Sequence, residues 1–333
     1  MASMHWLPAV IGGLVAMISP IAFRPLLRRL QIVDIPNERS SHEKPTLRGG
    51  GLSTAAGLVI GVVVAAAVMD ADVDRDLILL IGAAGMSAGV LGFVEDVRGV
   101  SVQWRAAIQV TIGVAMAIVL VQLIDAPLLW IPIIGFAFVA YVNATNFMDG
   151  INGISGLHGF VVGTAFAALG TLNDSSSLLV SGTLLACVSA AFLPWNFSLG
   201  GMFLGDVGSY LLGGTIITMA AVAVLEGLPV LAVLSPLSIY LADTGATLVK
   251  RVRRGERWYA AHRSHVYQQL SSSGLSHLSS ALTVALFTAI NIALGLSTVI
   301  GLSPFIASGL MIAVAMLYLH LPRVLRQSLI GGH

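Results

Sequence analysis

The chain has 333 residues, 56% hydrophobic and only 10% charged, with 17 basic against 16 acidic side chains and a mean hydropathy of +0.91. Soluble domains carry about 25% charged residues, so this composition excludes a water-facing globular surface and makes lipid the main solvent. The net charge of +1 carries no electrostatic footprint for nucleic acid, and the single cysteine, Cys187, excludes a disulfide framework or a cysteine-based metal site.

The apolar runs reach the roughly 20 residues that a spanning helix needs. Barrel strands would instead alternate over about 10 residues. The expected fold is all-α: a polytopic integral membrane protein with about eleven transmembrane helices. These are expected near 7–27, 49–69, 77–94, 105–123, 127–146, 156–172, 177–193, 207–225, 228–248, 277–298 and 302–321. The first run lacks a basic leader and outlasts a signal-peptide core, so it reads as a retained helix. Most joints are short and carry Pro, Gly, Asn or Asp. Arg28 to Arg48 and Lys250 to His277 are the two long ones. With no composition break and no repeat, residues 1–333 read as one transmembrane domain.

The basic residues sort by side. Arg28, Arg29, Arg39, Lys44 and Arg48 fall in one joint, Arg98 and Arg105 in another, and Lys250, Arg251, Arg253, Arg254, Arg257 and Arg263 in a third. Arg323 and Arg326 follow the last helix. Under an eleven-helix count these share one side, and only Arg75 lies on the other. The positive-inside rule makes the basic side cytoplasmic. The N-terminus is then periplasmic and the C-terminus cytoplasmic.

Acids in a membrane protein are costly and usually functional. Glu95 and Asp96 are expected at the end of the third helix, Asp149 after the fifth, Asp206 before the eighth and Asp243 within the ninth. Alternation of the helices puts them all near the cytoplasmic boundary, although 37 to 57 residues separate the successive groups. Asp70, Asp72, Asp74, Asp76, Asp125, Asp174 and Glu226 read instead as solvated caps on outer loops. His158, His277 and His320 read as interfacial, and Trp104, Trp130, Trp195 and Trp258 as belt residues. Hard carboxylate ligands without His or Cys clusters suit Mg²⁺ or Mn²⁺, which complete their shells with water and substrate phosphates. A carboxylate cluster beside a basic loop therefore points to phosphoryl chemistry.

Five segments carry further detail. The first runs from Asp34 through Arg39-Ser-Ser-His42, Lys44-Pro-Thr46 and Arg48-Gly-Gly-Gly51. Then come Gly92-Phe-Val-Glu95-Asp96, Asn143-Ala-Thr-Asn146-Phe-Met-Asp149-Gly150-Ile-Asn152-Gly153 and Phe203-Leu-Gly205-Asp206. The last is His262-Arg263-Ser-His265-Val-Tyr267-Gln. In this order they resemble the polyprenyl-phosphate N-acetylhexosamine-1-phosphate transferases (glycosyltransferase family 4, MraY/WecA-like). The first and last segments are most similar to the WbpL-like branch that initiates O-antigen synthesis.

The resemblance implies a reaction. A polyprenyl (undecaprenyl) phosphate oxygen attacks the sugar-bearing phosphate of a UDP-sugar, UMP leaves, and a lipid-diphospho-sugar forms for O-antigen or cell-envelope polysaccharide. It implies Mg²⁺, with Mn²⁺ as substitute, on Asp206. Glu95, Asp96 and Asp149 are then catalytic. Lys44, Asn146, Asn152, Phe203, His262, Arg263 and His265 bind substrate, with Phe203 stacking on uracil and the late His-Arg-x-His segment meeting the phosphates. The expected setting is a bacterial inner membrane with the site at its cytoplasmic face. Partners are the UDP-sugar, the lipid phosphate and the bilayer, with monomer and homodimer both open. Two positions depart from the family pattern. Glu95 stands where the family has the first of two aspartates, and Asn152 where it has the second aspartate of Asp-Gly-x-Asp-Gly. The competing class is a transporter or lipid flippase with inner-face carboxylates, which would spread its acids through the membrane depth.

Overall fold

The computed structural model describes residues 5–34, 46–70, 72–197, 201–256 and 263–330. Among these residues the chain is helical apart from a two-stranded ladder. The chain begins with α1 (Leu7–Ile18) and α2 (Pro20–Arg29), then β1 (Val33–Asp34), β2 (Thr46–Leu47) and α3 (Gly51–Val68). Next come α4 (Val73–Arg98), α5 (Val102–Ile124), α6 (Trp130–Phe147), α7 (Ile154–Leu172), α8 (Ser176–Phe197) and α9 (Gly205–Leu225). A short α10 (Val230–Leu234) and a 3₁₀ turn (Ser235–Leu237) lead into α11 (Ser238–Arg253). Last are α12 (Val266–Ser272), α13 (His277–Leu296) and α14 (Pro304–Ile330). Among the described residues ten helical spans are long and apolar enough to cross a membrane, or eleven if the bent α1–α2 pair is one span.

Several expected helices are drawn differently. The first run is not one helix: Pro20 lacks the N–H that would continue α1, and α1 and α2 meet at 44°. The third helix extends at both ends. Asp72 caps its start by accepting from Arg75 N at 3.0 Å, and Gly99, at φ +70°, ends it. Glu95 and Asp96 therefore sit in its last turns and not beyond them. The ninth run is interrupted by Ser235-Pro236-Leu237 before α11 continues to Arg253. The joint between α11 and α13 contains α12, whose seven residues are too few to register as a span. Likewise, the joint before α3 contains the ladder, with Val33 opposite Leu47 and Asp34 opposite Thr46.

The core is centred on α9, which is buried along nearly its whole length. Without a hydrophobic driving force in lipid, helices associate through close backbone approach at small residues. A Cβ at Gly89 of α4 would meet Leu211 Cβ at 3.2 Å, and one at Gly214 of α9 would meet Ala88 Cβ at 3.1 Å. Larger residues in this seam would push α4 off α9. By contrast, α14 exposes Phe305, Ile306, Leu310 and Ile312, a face suited to lipid.

Three residues read as interfacial or solvated are structural. His158 is buried: Nε2 lies 2.9 Å from Tyr141 Oη, and its ring stacks on Tyr240 at 3.5 Å. Trp195 is buried and donates Nε1–H to Met17 O at 2.8 Å, tying α8 to α1. Asp74 accepts from Ser177 N at 2.8 Å and so caps α8.

Candidate active site

The site forms where the N-terminus of α9 meets the C-terminal turns of α4 and α6. Backbone pairing sets it up. Phe203 N donates to Leu47 O at 2.8 Å, Gly50 N to Phe203 O at 2.9 Å and Gly51 N to Leu204 O at 2.8 Å. The segment entering α3 is thereby clamped to the segment entering α9. Two glycines make the clamp fit. Gly205 adopts φ +76°, where a Cβ would lie 2.7 Å from Asp96 Oδ2 and 2.8 Å from Gly49 N. At Gly92, a Cβ would run into the Asp206 carbonyl. Both positions need glycine, one for its backbone angle and both for space.

The side chains then converge. Asp96 Oδ2 accepts from Val207 N at 3.1 Å, satisfying one of the unpaired N–H groups at the start of α9. Arg48 Nη2 lies 3.3 Å from Asp96 Oδ1 and donates to Asp206 Oδ1 at 3.2 Å. Asn146 Nδ2, from the end of α6, donates to the same Asp206 oxygen at 2.9 Å and to Ser209 Oγ at 3.1 Å. One guanidinium and one amide thus bind carboxylates from α4 and α9 together.

Glu95 faces the other way, since adjacent helix residues point about 100° apart. Its carboxylate pairs with Arg105 of α5 and accepts from Tyr210 Oη at 3.2 Å. Asp149 accepts from Ser155 Oγ at 2.6 Å. It is half-buried and closely surrounded by protein. Burial pushes its carboxyl up to about 8, with Asp206 and Asp96 adding to the rise while Ser155 and Arg48 oppose it. At pH 7 it therefore carries its proton for most of the time.

The remaining expected residues divide. Phe203 is half-buried beside the clamp. Asn152 is half-buried in the turn between α6 and α7, next to Gly153, whose N–H donates to Asn196 Oδ1. Arg263 is exposed at the start of the arm that leads into α12. His265 is only 2% exposed and packs inside the protein. Lys44 and His262 lie outside the described residues. Sequence reading assigned no chemical role to Arg48, Ser155, Ser209 or Tyr210. Arg48 stands inside the first motif, where its place beside Gly49-Gly50 was the available signal. Ser209 and Tyr210 lie one turn past Asp206, which is where a helix presents its next inward residues.

No group of three His, Cys, Asp or Glu side chains clusters for a metal among the described residues. Two carboxylates do converge, and Asp96 Oδ1 is buried with the 3.3 Å ion pair to Arg48 but no hydrogen bond that meets normal geometry. A buried carboxylate oxygen short of well-placed donors is costly. Mg²⁺ binds through one or two carboxylates when phosphates complete its shell. Asp96 and Asp206 fit that donor set.

The family model described as Glycosyl transferase family 4 matches residues 77–224, which include Glu95, Asp96, Asn146, Asp149 and Asp206. The chain is 28% identical over 299 residues to the probable undecaprenyl-phosphate N-acetylglucosaminyl 1-phosphate transferase of Bacillus subtilis, covering 83% of this chain and 81% of the relative. It is 28% identical over 367 residues to the decaprenyl-phosphate N-acetylglucosaminephosphotransferase of Mycolicibacterium smegmatis, covering 96% and 89%. It is 32% identical over 251 residues to a phospho-N-acetylmuramoyl-pentapeptide-transferase of Picosynechococcus, covering 67% and 65%. By the family match and these relatives, the chain is similar to proteins of glycosyl transferase family 4. The relatives are named as transferases, two of them for undecaprenyl or decaprenyl phosphate, and the long apolar helices of this chain are compatible with a multi-pass membrane protein.

Proposed function

We propose that this protein transfers a sugar-1-phosphate, from the UDP-linked N-acetylated hexosamines or deoxyhexosamines, to polyprenyl (undecaprenyl) phosphate at the cytoplasmic face of a bacterial inner membrane. UMP is released and the lipid-diphospho-sugar initiates O-antigen or related envelope polysaccharide. The observation that carries the reading is the convergence of Arg48 and Asn146 on Asp206 with Asp96 alongside. Such a cluster gathers cationic, amide and carboxylate groups where a diphosphate and a lipid phosphate must meet.

In this reading the phosphate oxygen of the lipid forms a bond to the sugar-bearing phosphorus while the diphosphate bridge to UMP breaks. A lipid phosphate is already largely ionised near pH 7, so its activation needs no strong base. Arg48 turns its guanidinium to phosphate oxygens, for which its planar fork is suited. Asn146 orients Asp206. Asp149, whose carboxyl is pushed up by burial, donates a hydrogen bond to a phosphate oxygen while it keeps its proton. Glu95 holds Arg105 toward the same end of α4. Phe203 offers its ring to uracil, Asn152 its amide, and Lys44, His262 and Arg263 supply charge from the flanking loops. Mg²⁺ or Mn²⁺, when held by Asp206 and Asp96, neutralises charge on the phosphates.

The test is purified protein with undecaprenyl phosphate, Mg²⁺ and a panel of UDP-sugars, scored for UMP and for lipid-linked product. One sugar should give both in equal amounts. UMP without lipid-linked product, or neither with any sugar, overturns the reading.

A further inference from the structure

Asp243 lies in α11 with no exposed surface, yet it is a carboxylate. Its oxygens collect donors from three helices. Val266 N, at the start of α12, donates at 3.0 Å to one oxygen and 3.1 Å to the other. Tyr318 Oη, from α14, donates at 2.7 Å. Thr247 Oγ1, one turn along α11, lies at 3.4 Å. His265 Nδ1 lies 3.1 Å from Oδ1. A buried carboxylate is tolerated only when its oxygens are satisfied in this way. The proposed transfer, as drawn above, makes no use of it.

The network continues toward the site. The His265 ring stacks near Phe147 at 6.2 Å and 29°, and near Tyr267 at 5.8 Å and 20°. Tyr267 Oη donates to Phe147 O at 3.0 Å, and a Cβ at Gly150 would run into that same hydroxyl. Phe147 directly follows Asn146, the donor to Asp206. The turn that carries Asn146 and Asp149 is therefore braced by His265 and Tyr267. Both are anchored through Asp243. Two residues before His265, the exposed Arg263 opens the arm that faces outward.

We propose that Asp243 is a positioning residue for the transfer described above, on which this inference rests. Through His265 and the start of α12 it holds the Arg263 arm and the Asn146–Asp149 turn in one arrangement, and Tyr318 of the last helix locks it there. His265 then acts by bracing and not by touching substrate phosphate. The carboxylate accepts from Nδ1–H and so fixes the ring's tautomer and orientation. An amide at this position keeps the shape but replaces one acceptor by a donor, which faces His265 or Tyr318 with the wrong polarity.

The experiment uses the full chain in nanodiscs with undecaprenyl phosphate, Mg²⁺ and the UDP-sugar that the wild type accepts. The variants are Asp243→Asn, Tyr318→Phe, His265→Asn, Arg263→Ala and the Asp243→Asn/Arg263→Ala pair. Misplacing reacting groups by about 1 Å costs on the order of 10²-fold. Asp243→Asn should lower kcat by about that factor, with KM for the UDP-sugar changing far less. Tyr318→Phe should show a smaller loss of the same kind, at a melting temperature near that of the wild type. The paired variant should lose no more than the worse single variant, because Arg263 works only when its arm is placed. Wild-type kcat in Asp243→Asn overturns the proposal. So do losses in the pair that simply multiply, tracking a fall in melting temperature. If Asp243→Asn does not fold, unchanged kcat in both Tyr318→Phe and His265→Asn overturns it equally. A wild type that forms no lipid-linked product overturns the transfer reading itself, whereas an active wild type with unaffected variants overturns this inference alone.

Discussion

Arg48 and Asp206, 158 residues apart in sequence, meet at 3.2 Å from Nη2 to Oδ1. The same nitrogen lies 3.3 Å from Asp96, so one guanidinium joins the entry to α3, the end of α4 and the start of α9. Asp206→Asn removes a charge from this junction with little change in size. Turnover should fall by about 10²-fold or more while the protein stays folded by melting temperature and gel filtration. Chelation should mimic the variant in the wild type, and Mg²⁺ or Mn²⁺ should restore it. Normal, metal-independent turnover of Asp206→Asn would remove this residue from the site.

Glu95 and Asp96 should separate by role, because one faces Arg105 and Tyr210 while the other faces Arg48 and Val207. Asp96→Asn is expected to lower kcat by orders of magnitude with UDP-sugar binding little changed. Glu95→Gln should lose most activity, whereas Glu95→Asp keeps the charge and measurable turnover. A double-mutant cycle of Glu95→Gln with Arg105→Gln should give a coupling of about 0.5–3 kcal/mol. Additive losses would show that the pair does not act together.

Asp149 gives a pH signature in stability. Burial holds its folded carboxyl near 8, against an ordinary value of 3.8. Between these values the folded state binds more protons than the unfolded state, so its contribution to stability is present at low pH and is lost as pH rises toward 8. Asp149→Asn cannot ionise. Its melting temperature in chelator should therefore gain on the wild type as pH goes from 5 to 8, with the gap flat above that. Parallel curves across the window would contradict the assignment.

Gly92 brings α4 close to the start of α9, where an added Cβ meets the Asp206 carbonyl. Gly92→Ala should displace Asp206 and Asp96 relative to one another, costing about 1–3 kcal/mol of stability and most of the activity. Gly245→Ala, on α11 with nothing near its added Cβ, is the control and should behave as wild type. Equal behaviour of the two variants in melting and turnover assays would count against the packing argument.

Topology can be read from single-cysteine labelling of intact cells in a Cys187→Ser background. The distribution of Lys and Arg predicts that a cysteine at Asp72 reacts quickly with an impermeant reagent and one at Ser272 does not. Rapid labelling at Ser272 would invert the orientation and move the site to the other face.

Much of the architecture was legible because lipid allows few solutions. Long apolar runs must be helices, since unpaired backbone groups have no water to bond with, and ten spans plus one bent pair match the expected helices. The boundaries were less legible. Pro20, Asp72, Gly99 and Pro236 act through local caps and breaks, and the apolar pattern runs straight through such points. The strand pair Val33–Asp34 with Thr46–Leu47 and the seven-residue α12 were hidden for the same reason: neither is long enough to leave a periodic signature.

At the site, residue type was informative by itself. Acids and glycines inside an apolar chain are costly unless used, and Glu95, Asp96, Asp149 and Asp206 stand out on that ground alone. Their partners do not. Which carboxylate receives Arg48, which receives Arg105, and that His158, His265 and Trp195 are buried depend on how helices far apart in sequence pack. Composition and spacing were enough to define a helical membrane protein with carboxylates at the ends of particular helices, because the cost of charge and of unpaired backbone in lipid acts on each segment alone. The pairings Arg48–Asp206, Glu95–Arg105 and Asp243–His265 emerge from the packing of the helices, because a hydrogen bond depends on distance and angle between groups that the chain brings together when the helices close on α9.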